Sequence, residues 1–233
     1  MTSILGSVAL VTGGHRGIGK AYVDELLARG AAKVYATGRK PVVTEDSRIV
    51  DVLLDVTDAS SVRALAERLQ DVGIVINNAG VLHAAPLLRS DMQQVKDTFA
   101  TNVLGPLRIA QSFAPTLARA GGGALVNMHS ILSWGAGAGI YGASKAALWS
   151  LTNSLRIELA AQHTQVVGVH VGFVDTEMTE TLRVDKMAAA DVARIALDGV
   201  EHGDTEVLVD GRTVAIKAAL SGPVEGLALS FVH

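Results

Sequence analysis

Tyr141 and Lys145 stand four residues apart in the stretch "GIYGASKAAL". On one helix that spacing puts both side chains on the same face, within reach of a common small group. A phenol alone has a pKa of ~10 and is a poor acid or base near neutrality. A neighbouring ammonium favours phenolate and is expected to lower that value. Such a pair can give a proton to a carbonyl oxygen or take one from an alcohol. Ser130, just after the apolar run "GALVNM", can offer its hydroxyl to a substrate oxygen beside Tyr141. Asn102 in "TFATNVLGP" falls inside or beside a helix, where an asparagine is normally engaged with backbone or water. Each residue alone is ordinary: Y-x-x-x-K is common on helix surfaces, serines sit in turns, and asparagines cap helices.

The elements that would carry these side chains alternate along the chain. Strand patterns occur in "SVALVT", "KVYAT", "RIVDVLLD", "GIVINN", "GALVNM", "QVVGVHV" and "EVLVD", each nearly continuous in apolar character. Such runs suit strands buried on both faces of a parallel sheet. Between them lie helical patterns such as "ASSVRALAERL", with Val62, Leu65, Ala66 and Leu69 on one stripe. The expected fold is α/β: a doubly wound, seven-stranded parallel sheet with helices on both faces, forming a single domain over residues 1–233. Ligands of such sheets bind beyond the carboxyl ends of the strands, so residues just after strands carry the interest.

"LVTGGHRGIGKAY" runs from the first strand into a helix, with glycines at 13, 14, 17 and 19. A loop of this kind lets backbone approach a pyrophosphate and aims helix N-terminal amides at it. At the end of the second strand, where a dinucleotide's adenosine ribose would lie, Thr37 and Gly38 precede Arg39 and Lys40 rather than an acidic residue. With Arg16 from the glycine loop, these cations suit a 2′-phosphate, and NADP(H) is expected in preference to NAD(H).

Composition narrows the field. Of 233 residues 49% are hydrophobic and only 4% aromatic, giving a core of Ala, Val, Leu and Ile, and the net charge of -3 offers no basic surface for nucleic acid. With no cysteine there is neither a disulfide framework nor a thiolate metal site, and a reducing cytoplasm is the expected setting. "MTSILGSVAL" does not read as a secretory leader. The charge-free stretch between Arg119 and Lys145 carries seven glycines and several polar residues, so no membrane span is expected there. Seven histidines, at 15, 83, 129, 163, 170, 202 and 233, lack the paired spacing of a metal site. His83 and His129 are expected to be hydrogen-bonded loop residues.

Taken together, "TGGHRGIG" (12–19), "LDV" (54–56), "NNAG" (77–80), Asn102, Ser130 and "YGASK" (141–145) make the chain resemble the short-chain dehydrogenase/reductase family over nearly its whole length. The resemblance implies an NADP(H)-dependent oxidoreductase acting on a carbonyl/alcohol pair through a tetrad of Asn102, Ser130, Tyr141 and Lys145. In it Lys145 also binds the nicotinamide ribose, and Asn102 organises a water relay. Cofactor contacts are implied at Gly13, His15, Arg16, Gly17, Ile18, Gly19, Thr37, Gly38 and Arg39. Asp55 and Val56 would meet adenine, Asn78, Ala79 and Gly80 would line the cofactor, and Gly172, Val174 and Thr176 would meet the carboxamide.

Two departures stand out. Val171 occupies the place of the family's usual proline, and eleven positions separate Ser130 from Tyr141, about two fewer than the pattern leads one to expect. Ser133 is therefore an alternative to Ser130. The substrate is expected to meet a charge-free rim of Leu132, Trp134, Ile140 and Met178 beside Ser130, and the segment from Glu177 to Ala190 is where the family builds its lid. The helices after Asp91 and from Tyr141 to about Ala161 resemble the family's surfaces for dimers and tetramers. A catalytically silent NADP(H)-binding regulator or scaffold is the alternative function. S-adenosylmethionine-dependent methyl transfer would leave the Tyr141 and Lys145 pairing without a purpose.

Overall fold

A computed structural model describes residues 1–83 and 85–229. Seven strands form one parallel sheet: β1 (Val8–Val11), β2 (Lys33–Gly38), β3 (Ile49–Leu53), β4 (Ile74–Asn77), β5 (Ala124–Met128), β6 (Gln165–His170) and β9 (Glu206–Leu208). Two short strands outside it, β7 (Val174–Asp175) and β8 (Met187–Ala188), pair with each other. The spatial order is β3-β2-β1-β4-β5-β6-β9, so the winding reverses between β1 and β4 and opens a crevice at their carboxyl ends.

Alternation along the strands divides the core. Ala9 and Val11 of β1, with Ala36, Ile76, Val126, Met128, Val167 and Val169, face α1 (Gly17–Ala28) and α6 (Ala189–His202). Leu10, Tyr35, Val75, Leu125 and Val166 face the other way, against α2 (Ala59–Arg68), α4 (Gly105–Arg119) and α5 (Gly139–Glu158). Both faces are therefore covered, as the apolar runs required. Val62, Leu65, Ala66 and Leu69 are all buried, and Asp58 caps α2 by accepting from the amides of Ser60 and Ser61.

The long helix expected after Asp91 is interrupted. α3 (Met92–Phe99) passes into a π-helical turn at Ala100–Leu104 before α4 begins, with Pro106 in its first turn. Single π turns within helices concentrate at functional sites, and this one carries Asn102. A last helix, α7 (Gly211–Ala218), packs beside β9. Among the described residues no helix is long and apolar enough to cross a membrane. His233 lies outside the described residues.

Candidate active site

The crevice between β1 and β4 is tied shut at its base by Thr12. Its hydroxyl accepts from the amides of Asn78 (3.0 Å) and Ala79 (3.1 Å). Asn78 Nδ2 donates back to the carbonyls of Thr12 (3.0 Å) and Gly13 (3.2 Å). The glycine loop is thus anchored to the "NNAG" turn, and Asn78 spends its amide on that anchor. A Cβ on Gly19 would stand 2.0 Å from the Gly13 carbonyl oxygen, so the first turn of α1 can fold this close to the loop only without a side chain. Ile18 packs on the core below, and Gly17 faces Thr176 across the loop. The result is a backbone-lined cradle leading into a helix N-terminus, which fits a pyrophosphate.

At the second corner a shallow pocket of about 250 Å³ is lined by Arg39, Leu53, Leu54, Asp55 and Ser61. Asp55 Oδ1 is fixed by the amide and hydroxyl of Thr57 (2.8 and 2.7 Å), and Val56 is buried against the first residue of α4. The Thr37 carbonyl accepts from the amide of Gly14 at 2.9 Å, joining the second strand to the loop. The His15 ring lies over Gly38, with Nε2 2.7 Å from Asp51 Oδ1. The Arg16 guanidinium pairs with Glu177, the opposite charge at the start of the segment after β7.

The four tetrad residues come together at the carboxyl ends of β4 and β5. Lys145 is buried, and its Nζ donates to the Met128 carbonyl at 2.7 Å while lying 5.7 Å from the Tyr141 ring centroid. Ser130, buried at the end of β5, couples its side chain to the Tyr141 phenol. The Ser130 hydroxyl also accepts from the amide of Leu132 at 3.2 Å, whereas the Ser133 hydroxyl accepts from the Ser130 amide at 3.4 Å. Asn102 is buried too: Oδ1 accepts from the Val81 amide, and Nδ2 donates to the Val81 carbonyl (both 2.9 Å) and to Ser144 Oγ (3.0 Å). Gly80 sits between Asn102 and the Lys145 ammonium. With both amide hydrogens of its side chain engaged, Asn102 has no side-chain donor left for a water.

Burial governs the protonation of this cluster. It pushes the Tyr141 phenol up to about 12, against a smaller lowering from the Ser130 side chain. The same desolvation brings the Lys145 ammonium down to about 8. Loss of water around the ring is thus the largest influence on the phenol, and it raises the pKa that the ammonium pairing was expected to lower.

Gly172 donates its amide to Asp210 Oδ2 at 3.0 Å, Val174 is buried in β7, and Thr176 reaches the glycine loop. The expected rim is only partly a rim. Leu132, Trp134 and Ile140 are buried, while Met178 is 45% exposed. The Trp134 indole stacks on His170 at 3.8 Å between ring centroids and meets Trp149 edge-on. His83 is hydrogen-bonded, its Nδ1 lying 2.9 Å from Thr98 Oγ1, but His129 is not: it is buried with neither ring nitrogen partnered, stacked on His170. Desolvation holds it well below its usual pKa, so it stays neutral without a partner.

A family model described as short chain dehydrogenase matches residues 7–187, from the first strand through the segment after β7. The chain belongs to that family. Among curated relatives, short-chain dehydrogenase PC-15 of Penicillium crustosum is 36% identical over 187 residues, covering 74% of this chain and 67% of its own. The 3-oxoacyl-[acyl-carrier-protein] reductase FabG of Salmonella typhimurium is 31% identical over 198 residues, covering 80% of this chain and 81% of its own. Among solved structures, a short-chain dehydrogenase from Burkholderia cenocepacia in complex with NADP superposes with a TM-score of 0.90 at 35% identity, covering 97% of each chain. The protein is thus an NAD(P)-dependent oxidoreductase of the short-chain dehydrogenase type.

Several residues that shape this short-chain dehydrogenase site escaped notice in the sequence. Ser144 accepts from Asn102 and donates to the Tyr141 carbonyl at 2.7 Å, linking the π turn to the first turn of α5. Asn77 donates to Asn127 and Asn127 to Thr152, both at 2.9 Å, a buried amide ladder that fixes α5 against β4 and β5. The available signal was polar side chains at positions where apolar ones are the rule for a strand buried on both faces.

Proposed function

We propose that the protein is an NADP(H)-dependent carbonyl reductase/alcohol dehydrogenase. The observation that carries the reading is the half-buried phenol of Tyr141, coupled to the Ser130 side chain with the Lys145 ammonium behind it. A bound nicotinamide supplies or accepts the hydride at the substrate carbon. Ser130 holds the carbonyl oxygen by its hydroxyl and so fixes where negative charge develops. Tyr141 donates its hydroxyl proton to that oxygen, and in the reverse direction takes it back. Lys145 keeps a positive charge beside the phenol, opposing the burial that holds its proton on, and its ammonium is placed for a ribose. The π turn at Asn102 offers main-chain carbonyls to a water that returns the proton from solvent. Ser130 is preferred to Ser133 because it is the Ser130 side chain that couples to the Tyr141 phenol.

The residues present fit a phosphorylated dinucleotide: the cradle around Gly19 would hold the pyrophosphate, Asp55 the adenine, and Arg39, at the mouth of the same pocket, the 2′-phosphate. NADP in the Burkholderia cenocepacia relative agrees with this preference. We further propose association into a homodimer or homotetramer through the outer faces of α4 and α5, where Ile157 stands 79% exposed. Fluorescence titration with NADPH followed by its oxidation across a panel of aldehydes and ketones tests the reading. Binding with turnover of apolar carbonyl compounds is expected; binding without turnover of any would make the protein a silent binder.

A further inference from the structure

The segment between Ser130 and Tyr141 carries both ends of the reacting centre, yet it is short and glycine-rich. After the turn Ile131–Ser133 it is held from outside the sheet by residues 227–229. The Ala136 amide donates to the Leu227 carbonyl at 2.8 Å, and the Leu229 amide donates to the Ala136 carbonyl at 3.1 Å, making a parallel bridge between Ala136 and Ala228. The side chains lock in the same place. A Cβ on Gly135 would fall 2.4 Å from Leu229 Cδ1, so Leu229 occupies the notch that Gly135 leaves.

Leu227 and Leu229 pack on the buried cluster of Ile131, Leu132, Trp134 and Ile216, against which Tyr141 also packs. Both leucines are only half-buried: one side rests on the cluster and the other stays open. Lys217, the cation over the Trp134 ring, pairs with Glu206. Tyr141 and Leu229 therefore pack on one apolar cluster, with Leu229 at its half-buried edge.

We propose that Leu229, clamped by the Ala136–Ala228 bridge, is a specificity-determining residue that limits the size of the apolar substituent on the carbonyl substrate. The inference rests on the carbonyl-reductase reading of Tyr141. The preferred substrates are neutral ketones or aldehydes with a linear alkyl group, and bulky branched or aryl groups are rejected by the leucine. The strap replaces a longer Ser130-to-Tyr141 loop as the wall on that side.

The test is a series of methyl ketones of increasing bulk, with kcat and KM measured at saturating NADPH for the wild type, Leu229→Ala, Leu229→Phe and Gly135→Ala. Leu229→Ala should raise the bulky-to-small ratio of kcat/KM about tenfold or more, chiefly through KM, because a few methylenes in an apolar pocket carry discrimination of that order. Leu229→Phe should lower the same ratio, and it remains informative if the alanine variant fails to fold. Gly135→Ala, which pushes on Leu229, should change selectivity, and adding Leu229→Ala to it should relieve the effect. NADPH affinity should stay unchanged in all of them. Turnover with an unaltered ratio, or a uniform fall in kcat across the series, would overturn the role of the strap while leaving the enzyme reading intact. Binding of NADPH by the wild type with no oxidation by any ketone would overturn both.

Discussion

Lys145 Nζ donates to the Met128 carbonyl at 2.7 Å, so the ammonium is moored to the strand end that also delivers Ser130. The mooring holds a charge where water cannot reach it, and desolvation lowers its pKa from 10.5 to about 8. Below pH 8 both the folded and unfolded chains carry the charge, and the folded one bears the whole cost, about 3 kcal/mol. Above pH 10.5 neither does. Lys145→Met should therefore be more stable than the wild type at pH 7, by about 2 kcal/mol once the unpaired Met128 carbonyl is set against the gain. Denaturant unfolding across pH checks this: the advantage should shrink from pH 8 and turn, above about 10.5, into a deficit of about 1 kcal/mol left by the unpaired carbonyl, while turnover is lost throughout.

His170 is buried, with Nδ1 3.4 Å from the Ser130 carbonyl, and desolvation lowers its pKa to about 3. Its folded value lies below the unfolded one near 6.5, so its contribution is intact above about pH 6.5 and is lost as pH falls toward 3. His170→Phe, which preserves an aromatic face for Trp134, should move the midpoint of acid unfolding downward. The neutral His129 stacked on it acts in the same direction, so the double variant with His129→Ser should move it further. An unchanged midpoint would place the acid sensitivity elsewhere.

The strands were legible because a sheet covered on both faces writes each one as an apolar run, and the alternation of core residues along β1 follows from the same geometry. The juxtaposition of Tyr141 and Lys145 was legible through their spacing of one helical turn, whereas the grouping with Ser130 and Asn102 was implied by the family resemblance. What could not be read was the partner of a long exposed side chain: Arg16 pairs with Glu177, 161 positions away in sequence. Trp134 was equally opaque. Its loop neighbours suggest an open rim, but the flat face of His170, forty positions from Ser130 and on the adjacent strand, draws the indole inward. The desolvation of Tyr141 was opaque as well, since it depends on packing from Leu132, Trp134 and their neighbours, which no local pattern records.

Arg39 lines the pocket that also holds Asp55, and among the described residues no other arginine or lysine does. Losing a charge-assisted contact to a phosphate costs roughly 10- to 100-fold in affinity. Arg39→Asp should raise the KM for NADPH by about that factor, leave the NADH constant within a few-fold, and hold kcat steady. Steady-state kinetics with both cofactors checks it, and an unaltered NADPH/NADH preference would remove Arg39 from the phosphate corner.

Asn102 clasps Val81 through both its amide oxygen and nitrogen, so its replacement leaves two backbone groups and Ser144 short of partners. Asn102→Ala should destabilise the chain by about 2 to 3 kcal/mol in denaturant unfolding. It should also lower kcat more than it weakens NADPH binding, because the displaced turn holds the first residues of α5 through Ser144.

The proposed reaction turns on the proton held by Tyr141. Single-turnover oxidation of NADPH by an accepted apolar ketone, compared between the wild type and Tyr141→Phe, measures it directly. The variant should bind NADPH with unchanged fluorescence, yet reduce the ketone at least about 10²-fold more slowly, the scale of a lost general acid. Reduction by Tyr141→Phe at the wild-type rate would contradict the mechanism.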